Sequence, residues 1–139
     1  MSIVYTATAT SSGGGRDGQV RSSDGRIDAP VRMPSAMGGN GEGTNPEQLF
    51  AAAYATCFHG AMRLAAKDKG TAVPDDATID AEVGIGPDDT SFGVTATLTG
   101  HFPGLDQQTA DDLMHGAHQV CPYSKATRGN IEVTLRATV

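Results

Sequence analysis

The feature that most constrains this chain is a long helical segment that follows Asn45. Asn45 can cap a helix, Pro46 suits the first helical position, and Gln48 completes the spacing of a capping box. Apolar and small residues then recur at helical spacing as far as Lys69, and Gly70 is a stop signal. They are Phe50, Ala53, Tyr54, Cys57, Ala61, Leu64 and Ala65. The pattern predicts one long helix with a stripe that faces a core.

Segments with the pattern of strands lie before and after this helix in the sequence. Alternating apolar residues predict strands at 3–9 and 131–137, a hairpin of 78–86 and 92–98, and two short strands within 19–33. A second helix is predicted to begin near Asp106 and to be broken or kinked at Pro122. Its stripe holds Ala110, Leu113, Met114, Ala117, Val120 and Cys121. The order indicates an α+β fold, with helices covering one face of antiparallel sheets, in a single domain over residues 1–139.

The apolar residues of the chain are mostly small. Leu, Ile, Val and Phe together number 24 of 139 residues, whereas Ala alone numbers 19. A chain of this length buries roughly two thirds of its unfolded surface, but a core rich in alanine contains little side-chain volume. We therefore expect a homo-oligomer, because a second subunit would relieve the thin core.

The charge balance excludes several classes of partner. The net charge is −6, and no run of basic residues is present, so we expect no nucleic acid and no anionic membrane among the partners. No apolar run approaches the ~20 residues that span a bilayer. Residues 1–10 show no basic stretch followed by an apolar block, so no signal peptide is expected and the predicted location is the cytoplasm.

Cys57 and Cys121 each lie on the apolar stripe of a predicted helix. Core packing explains one such cysteine well, since free cysteine is among the most buried residue types. Two stripes with small neighbours, among them Gly60 and Gly116, would let the helices approach to disulfide distance. Two cysteines are too few for a secreted disulfide scaffold, and a reducing compartment favours a catalytic or redox pair over a structural bridge. Packing and redox chemistry both stay open at this point.

A buried thiol needs a nearby cation to become reactive. Arg16, in the glycine-rich segment GGGRDG, is one candidate, and Arg63 and Arg128 are the others. A solvated loop charge is the competing interpretation of Arg16. Glu47, in the first turn of the long helix, is explained equally well by the helix dipole.

Metal ligands are present but poorly spaced. Cys57 and His59 are separated by one residue, and His115 and His118 at i, i+3 suit an exposed helix flank as well as a ligand pair. No CxxC or HxxxH pair occurs, so we expect no metal and no cofactor. The surroundings of Cys57 also lack the local signatures of the cysteine proteases.

A family resemblance rests on two long segments. NPEQLFAAAYATCF at 45–58 and HQVCPYSKATRGNIEV at 118–133 resemble the two cysteine motifs of the organic hydroperoxide resistance (Ohr) proteins in the OsmC/Ohr superfamily. GGRDG at 14–18 and EVGIGP at 82–87 fit the same pattern. The resemblance covers essentially the whole chain, and two long motifs at the expected separation are specific.

The resemblance implies an OsmC-like fold, with antiparallel sheets packed on two central helices, in an intertwined homodimer. It implies a thiol peroxidase that reduces alkyl and fatty acid hydroperoxides to alcohols in the response to oxidative stress. By motif, Cys57 is similar to the peroxidatic cysteine, Cys121 to the resolving cysteine, Arg16 to the arginine that stabilises the thiolate, and Glu47 to the acid that orients this arginine. A Cys57 sulfenic acid would become a Cys57–Cys121 disulfide, which a dithiol such as a lipoylated protein would reduce.

Two alternatives remain from the sequence. One is a peroxidase of the OsmC branch, with a different substrate preference, although the stretch CPYS favours the Ohr branch. The other is a redox-sensing binding module whose cysteines are oxidised once, without turnover. Steady consumption of an organic hydroperoxide in the presence of a dithiol would separate an enzyme from a sensor.

Overall fold

The computed structural model describes residues 1–139, whose helices and two three-stranded sheets confirm the predicted α+β class. The strands are β1 (Ala9–Gly13), β2 (Gly18–Ser22), β3 (Asp28–Val31), β4 (Thr78–Pro87), β5 (Phe92–His101) and β6 (Val133–Thr138). The helices are α1 (Pro46–Lys69), α2 (Gln107–Val120) and α3 (Pro122–Thr127), with a 3-10 turn at Ser35–Met37. The chain divides into two compact units, residues 1–49 and 50–139. That it functions as one domain stays a prediction.

The first unit, residues 1–49, carries an antiparallel sheet in the order β1-β2-β3. A tight turn joins β1 to β2, and the amide of Gly14 donates to the carbonyl oxygen of Asp17 across it at 2.9 Å. A Cβ added to Gly18 would lie 2.0 Å from the carbonyl oxygen of Ser12. Only glycine fits such an approach, so the turn that carries Arg16 depends on its glycines.

The predicted strand at 3–9 is wrong, because the first strand occupies Ala9–Gly13. Ala9 pairs with Ser22, the last residue of β2, so the neighbouring strand ends where the predicted one would continue. Alternation favours a strand only where a neighbour accepts and donates the backbone hydrogen bonds. The apolar side chains of Ile3 and Val4 are instead exposed.

The second unit, residues 50–139, contains the predicted hairpin. β4 and β5 pair antiparallel over ten residues each, from Thr78 opposite His101 to Pro87 opposite Phe92. The side-chain carboxylate of Asp88 accepts from the amide of Ser91 at 2.7 Å and so closes the turn. The hairpin is therefore confirmed and is longer than the sequence pattern indicated.

The last strand departs from the antiparallel expectation. β6 pairs with β5 in parallel, from Val133 opposite Ala96 to Thr138 opposite His101. The chain reaches β6 through α2 and α3, and a parallel neighbour requires such a long crossover. The antiparallel expectation thus holds for the other three strand pairs and is wrong for this one.

The helix boundaries follow the capping signals. The side chain of Asn45 accepts from the amide of Gln48 at 2.8 Å, which confirms the predicted start of α1. Asp106 caps α2 by accepting from the amide of Thr109 at 2.9 Å. Pro122 does more than break this helix, because it takes the first position of a separate helix, α3. None of the helices has the length and apolar character that crossing a membrane requires.

The core of the second unit contains buried side chains from α1, α2, β4 and β5, and partly buried residues of β6 pack against it. Its largest fully buried side chains include Tyr54, Phe58 and Met62 of α1. The buried face of α1 is rotated from the predicted stripe, since Leu64 is 52% exposed while Phe58 and Met62 are buried. Alanines of α1 occur on several sides of the helix, so the spacing of apolar residues alone did not show which side is buried.

Candidate active site

The two cysteines meet in the second unit. Cys57 lies in α1, and Cys121 is the residue between α2 and α3. Their Sγ atoms are 3.7 Å apart, both thiols are free, Cys121 is fully buried, and Cys57 is half-buried. A disulfide bond is about 2.05 Å long, so the two sulfurs could form one after oxidation and a movement of less than 2 Å. The predicted approach of the two stripes is therefore present as a pair of reduced thiols.

The surroundings of Cys57 disfavour its thiolate. Burial raises the pKa of the Cys57 thiol, the backbone N–H of Tyr123 lowers it, and the neighbouring Cys121 thiol raises it again, with a net increase above the ordinary value. Burial thus raises the pKa of this thiol, as expected for a buried cysteine without a cation beside it. Tyr123 supplies the stabilising donor, because α3 begins beside the thiol.

Aromatic rings pack beside the thiol pair. Phe50 stacks on Tyr123 with ring centroids 6.4 Å apart, and it meets Tyr54 edge-on at 5.8 Å. Tyr54 in turn contacts Phe58 edge-on at 6.4 Å. This group of rings was not predicted from the sequence. Their signal was the i, i+4 spacing of Phe50, Tyr54 and Phe58 along α1, which places three rings on one side of the helix.

Arg16 and Glu47 form an ion pair in the first unit. Two guanidinium nitrogens of Arg16 donate to the two carboxylate oxygens of Glu47, at 2.9 and 2.7 Å. This bidentate hydrogen bond holds the pKa of the Glu47 carboxyl below its usual range. The side chain of Arg16 is 37% exposed and that of Glu47 is 14% exposed. The fork is therefore fixed in direction while remaining accessible.

The other candidate cations have different partners. Arg63 contacts the imidazole of His59 at 3.4 Å, and Arg128 donates to the backbone carbonyl of His118. No group of three or more His, Cys, Asp or Glu side chains is placed to hold a metal ion. The four predicted site residues thus form two pairs, one in each unit.

The sequence and the fold were compared with known proteins. A family model described as OsmC-like protein matches residues 39–136. The organic hydroperoxide resistance protein of Xanthomonas axonopodis pv. citri is 50% identical over 134 residues, which cover 96% of this chain and 94% of that protein. The chain belongs to the OsmC-like family. The resemblance found in the two cysteine motifs is confirmed.

Solved structures of OsmC-like proteins have the same fold. An organic hydroperoxide resistance protein from Legionella pneumophila superposes with a TM-score of 0.92 at 40% identity, covering 99% of this chain and 100% of that chain. The organic hydroperoxide resistance protein OhrB of Bacillus subtilis superposes with a TM-score of 0.87 at 42% identity, covering 98% and 100%. The predicted OsmC-like fold class is therefore confirmed.

Proposed function

We propose that this protein confers resistance to organic hydroperoxides by reducing them to alcohols with its two cysteines. The observation that carries the proposal is the 3.7 Å separation of two free thiols, one half-buried and one fully buried. The names of its relatives support the role in hydroperoxide resistance. A pair that served packing alone would not require two sulfurs in contact.

The reaction divides into two steps. The Cys57 thiolate attacks one peroxide oxygen, the O–O bond breaks, and the alkoxide leaves and takes a proton to become the alcohol. The sulfenic acid left on Cys57 then reacts with the Cys121 thiol, which forms the S–S bond and releases water. Cys121 acts second because its full burial keeps it from substrate, whereas Cys57 is partly accessible.

Arg16 is proposed to stabilise the Cys57 thiolate and to bind the peroxide, with Glu47 orienting it. The raised pKa of Cys57 means that attack at neutral pH needs a cation. The bidentate pair with Glu47 leaves the Arg16 side chain 37% exposed and fixes its planar fork, which suits two acceptors better than a lysine would.

The substrate class follows from the apolar surroundings of Cys57. Phe50 and Tyr123 stack on each other, Phe50 and Cys57 both pack against the apolar core, and such surroundings favour alkyl and fatty acid hydroperoxides over hydrogen peroxide. A dithiol is proposed as the reductant, because it can open the Cys57–Cys121 bridge and close its own in two exchange steps. A lipoylated protein would provide such a dithiol.

We also propose that the protein works as a homodimer in the cytoplasm. Exposed apolar residues at the N-terminus, Ile3 and Val4, together with the thin alanine-rich core, support a second subunit. Two free cysteines suit a reducing compartment. Light scattering of the active protein tests the dimer, and a stable, active monomer at micromolar concentration would contradict it.

The experiment that tests the function is a steady-state assay with tert-butyl hydroperoxide and dihydrolipoamide. An enzyme consumes many equivalents of hydroperoxide per protein, and it acts more slowly on hydrogen peroxide. Consumption of a single equivalent would support the redox-sensing module instead. Equal rates with hydrogen peroxide and the organic substrate would favour a peroxidase of the OsmC branch.

A further inference from the structure

Three buried hydroxyl groups connect α1 to α3 beside the thiol pair. The hydroxyl of Tyr54 lies 3.0 Å from that of Ser124 and 3.1 Å from that of Thr127. Tyr54 and Ser124 are fully buried, and Thr127 is 7% exposed. We propose that Tyr54 is a positioning residue for disulfide closure, because its hydroxyl fixes α3 on α1 and so holds Cys121 against Cys57. This inference rests on the proposed function.

The directions of these hydrogen bonds follow from counting protons. The Thr127 hydroxyl donates to the backbone carbonyl of Ser124 at 3.1 Å, so its proton is already used. When the Thr127 proton is used in this way, Thr127 accepts from Tyr54, and Tyr54 accepts from Ser124. Each of the three hydroxyl protons then has one acceptor, and this series of hydrogen bonds ends on the backbone carbonyl of Ser124. Loss of one hydroxyl would leave buried partners unsatisfied on both sides of the gap.

The chain of hydroxyls reaches Cys121 through the backbone of α3. Cys121 caps α3, and its carbonyl oxygen accepts from the amide of Lys125 at 3.0 Å. Its own amide donates to Ala117 of α2 at 2.8 Å. Cys121 is thus held between α2 and α3. Tyr54 contacts α3, so it anchors one of the two helices that position Cys121. Tyr54 precedes Cys57 by three residues on α1, so one helix carries both the anchor and the target of closure.

The two steps of the reaction should respond differently to loss of this anchor. Attack on peroxide uses Cys57, which α1 positions without help from the hydroxyls. Closure requires the Cys121 sulfur to reach the Cys57 sulfur across the contact between α1 and α3. Since α3 also presents the Tyr123 amide to Cys57, attack rates are to be compared on the alkaline plateau of the pH profile, where Cys57 is fully ionised.

Tyr54→Phe is the decisive variant because it keeps the ring and removes the hydroxyl. The reduced protein is equilibrated with reduced and oxidised glutathione, and the effective concentration of one thiol toward the other is obtained from the fraction of Cys57–Cys121 disulfide. Two molecules of reduced glutathione form for each oxidised glutathione consumed. We expect this effective concentration to fall by on the order of tenfold, which corresponds to one lost buried hydrogen bond. Trapping of the sulfenic acid by dimedone should rise while the plateau rate of attack stays within about twofold, because the peroxide step does not use the anchor.

Tyr5→Phe is the matched control, since it makes the same chemical change at an exposed residue and should leave both steps unchanged. Thr127→Val removes the acceptor of the Tyr54 proton and serves if Tyr54→Phe does not fold. Thr127→Val should reproduce the fall in effective concentration. In the double variant of Tyr54→Phe and Thr127→Val, the fall should be smaller than the product of the two single effects. Closure within twofold of the original protein in the folded variant would overturn the inference. If the original protein does not turn over hydroperoxide, the proposed function fails, whereas the glutathione equilibrium still measures the positioning.

Discussion

The two residue pairs of the candidate site are built in opposite ways. Arg16 and Glu47 are joined by two directed hydrogen bonds on a turn and a helix start, and Arg16 stays accessible. Cys57 and Cys121 are brought together by the packing of helices, and Cys121 is fully buried. Opposite charges and the planar geometry of the guanidinium group determine the first pair, whereas the packing of helices in the core determines the second.

The two environments also move acidity in opposite directions. The guanidinium of Arg16 lowers the pKa of the Glu47 carboxyl, whereas burial raises the pKa of the Cys57 thiol. Glu47 is therefore held in its ionised form beside Arg16, whereas burial favours the neutral form of the Cys57 thiol. The proposed reaction therefore needs a cation to ionise Cys57, and the proposal assigns that role to Arg16.

The largest expected effect comes from removing the nucleophile of the buried pair. Cys57→Ser should lower hydroperoxide reduction on the order of 1,000-fold or more, because a serine hydroxyl does not ionise near neutral pH. Cys121→Ser should still consume one equivalent and then stop as a sulfenic acid or a mixed disulfide. Stopped-flow consumption of tert-butyl hydroperoxide measures both, and normal turnover by Cys57→Ser would refute the assignment of roles.

Removing the cation of the ion pair should have a smaller effect that depends on pH. Arg16→Ala should slow attack at pH 7 by roughly 10- to 100-fold, since a partly exposed opposite charge should shift a neighbouring pKa by about one to two units. Without the cation, burial leaves the Cys57 pKa raised, so the rate should recover in part as the pH rises. Arg21→Ala is the matched control, because Arg21 and Asp28 form an exposed, longer ion pair at 3.9 Å. An unchanged titration of Cys57 in Arg16→Ala would assign its activation to another group.

The same substitution should cost little stability. A partly exposed ion pair contributes on the order of 1 kcal/mol to the free energy of unfolding, because solvent screens the two charges. Because the folded-state pKa of Glu47 is lowered, that contribution is present above the unfolded-state pKa and is lost as the pH falls through the folded-state value. Urea unfolding should therefore show a difference between Arg16→Ala and the original protein at pH 7 that shrinks under acid conditions. A difference that grows with acidity would contradict the ion-pair account.

The smallest expected effect concerns the redox state of the buried pair. A bridge that closes a loop of 64 residues restricts the unfolded chain and could stabilise the protein by about 4 kcal/mol if the folded state accepted it without strain. Here the sulfurs must close from 3.7 Å to about 2.05 Å within close-packed helices, and the strain of that rearrangement should offset most of the gain. We expect the reduced and oxidised proteins to melt cooperatively within about 4 °C of each other, since under ~1 kcal/mol then separates them. Calorimetry measures both, and unfolding of the reduced form at ordinary temperature would favour a structural crosslink.

Local signals in the sequence predicted much of the fold. The cap at Asn45, the hairpin turn near Asp88 and the start of α2 at Asp106 all depend on neighbours a few residues away. The apolar stripes of small residues also predicted that the helices carrying the two cysteines could approach, whereas the pairing itself was implied by the resemblance to the Ohr motifs. Spacing is sufficient where the partner of a group is close in the sequence or the pattern spans several turns.

Contacts between distant segments were the ones that sequence patterns missed. The residues at 3–9 alternate as a strand does, but their register depends on where β2 ends. The parallel pairing of β6 depends on a crossover through two helices. The hydroxyl of Tyr54 finds its partners 70 and 73 residues away, which no local pattern encodes.

Peptide mapping after one equivalent of tert-butyl hydroperoxide shows directly whether Cys57 and Cys121 form the proposed disulfide. The reduced protein is mixed with the oxidant, free thiols are blocked at once, and the digest is analysed by mass spectrometry. We expect one peptide pair joined through Cys57 and Cys121, formed in proportion to the hydroperoxide consumed. Recovery of both cysteines as blocked thiols while hydroperoxide is consumed would contradict this expectation.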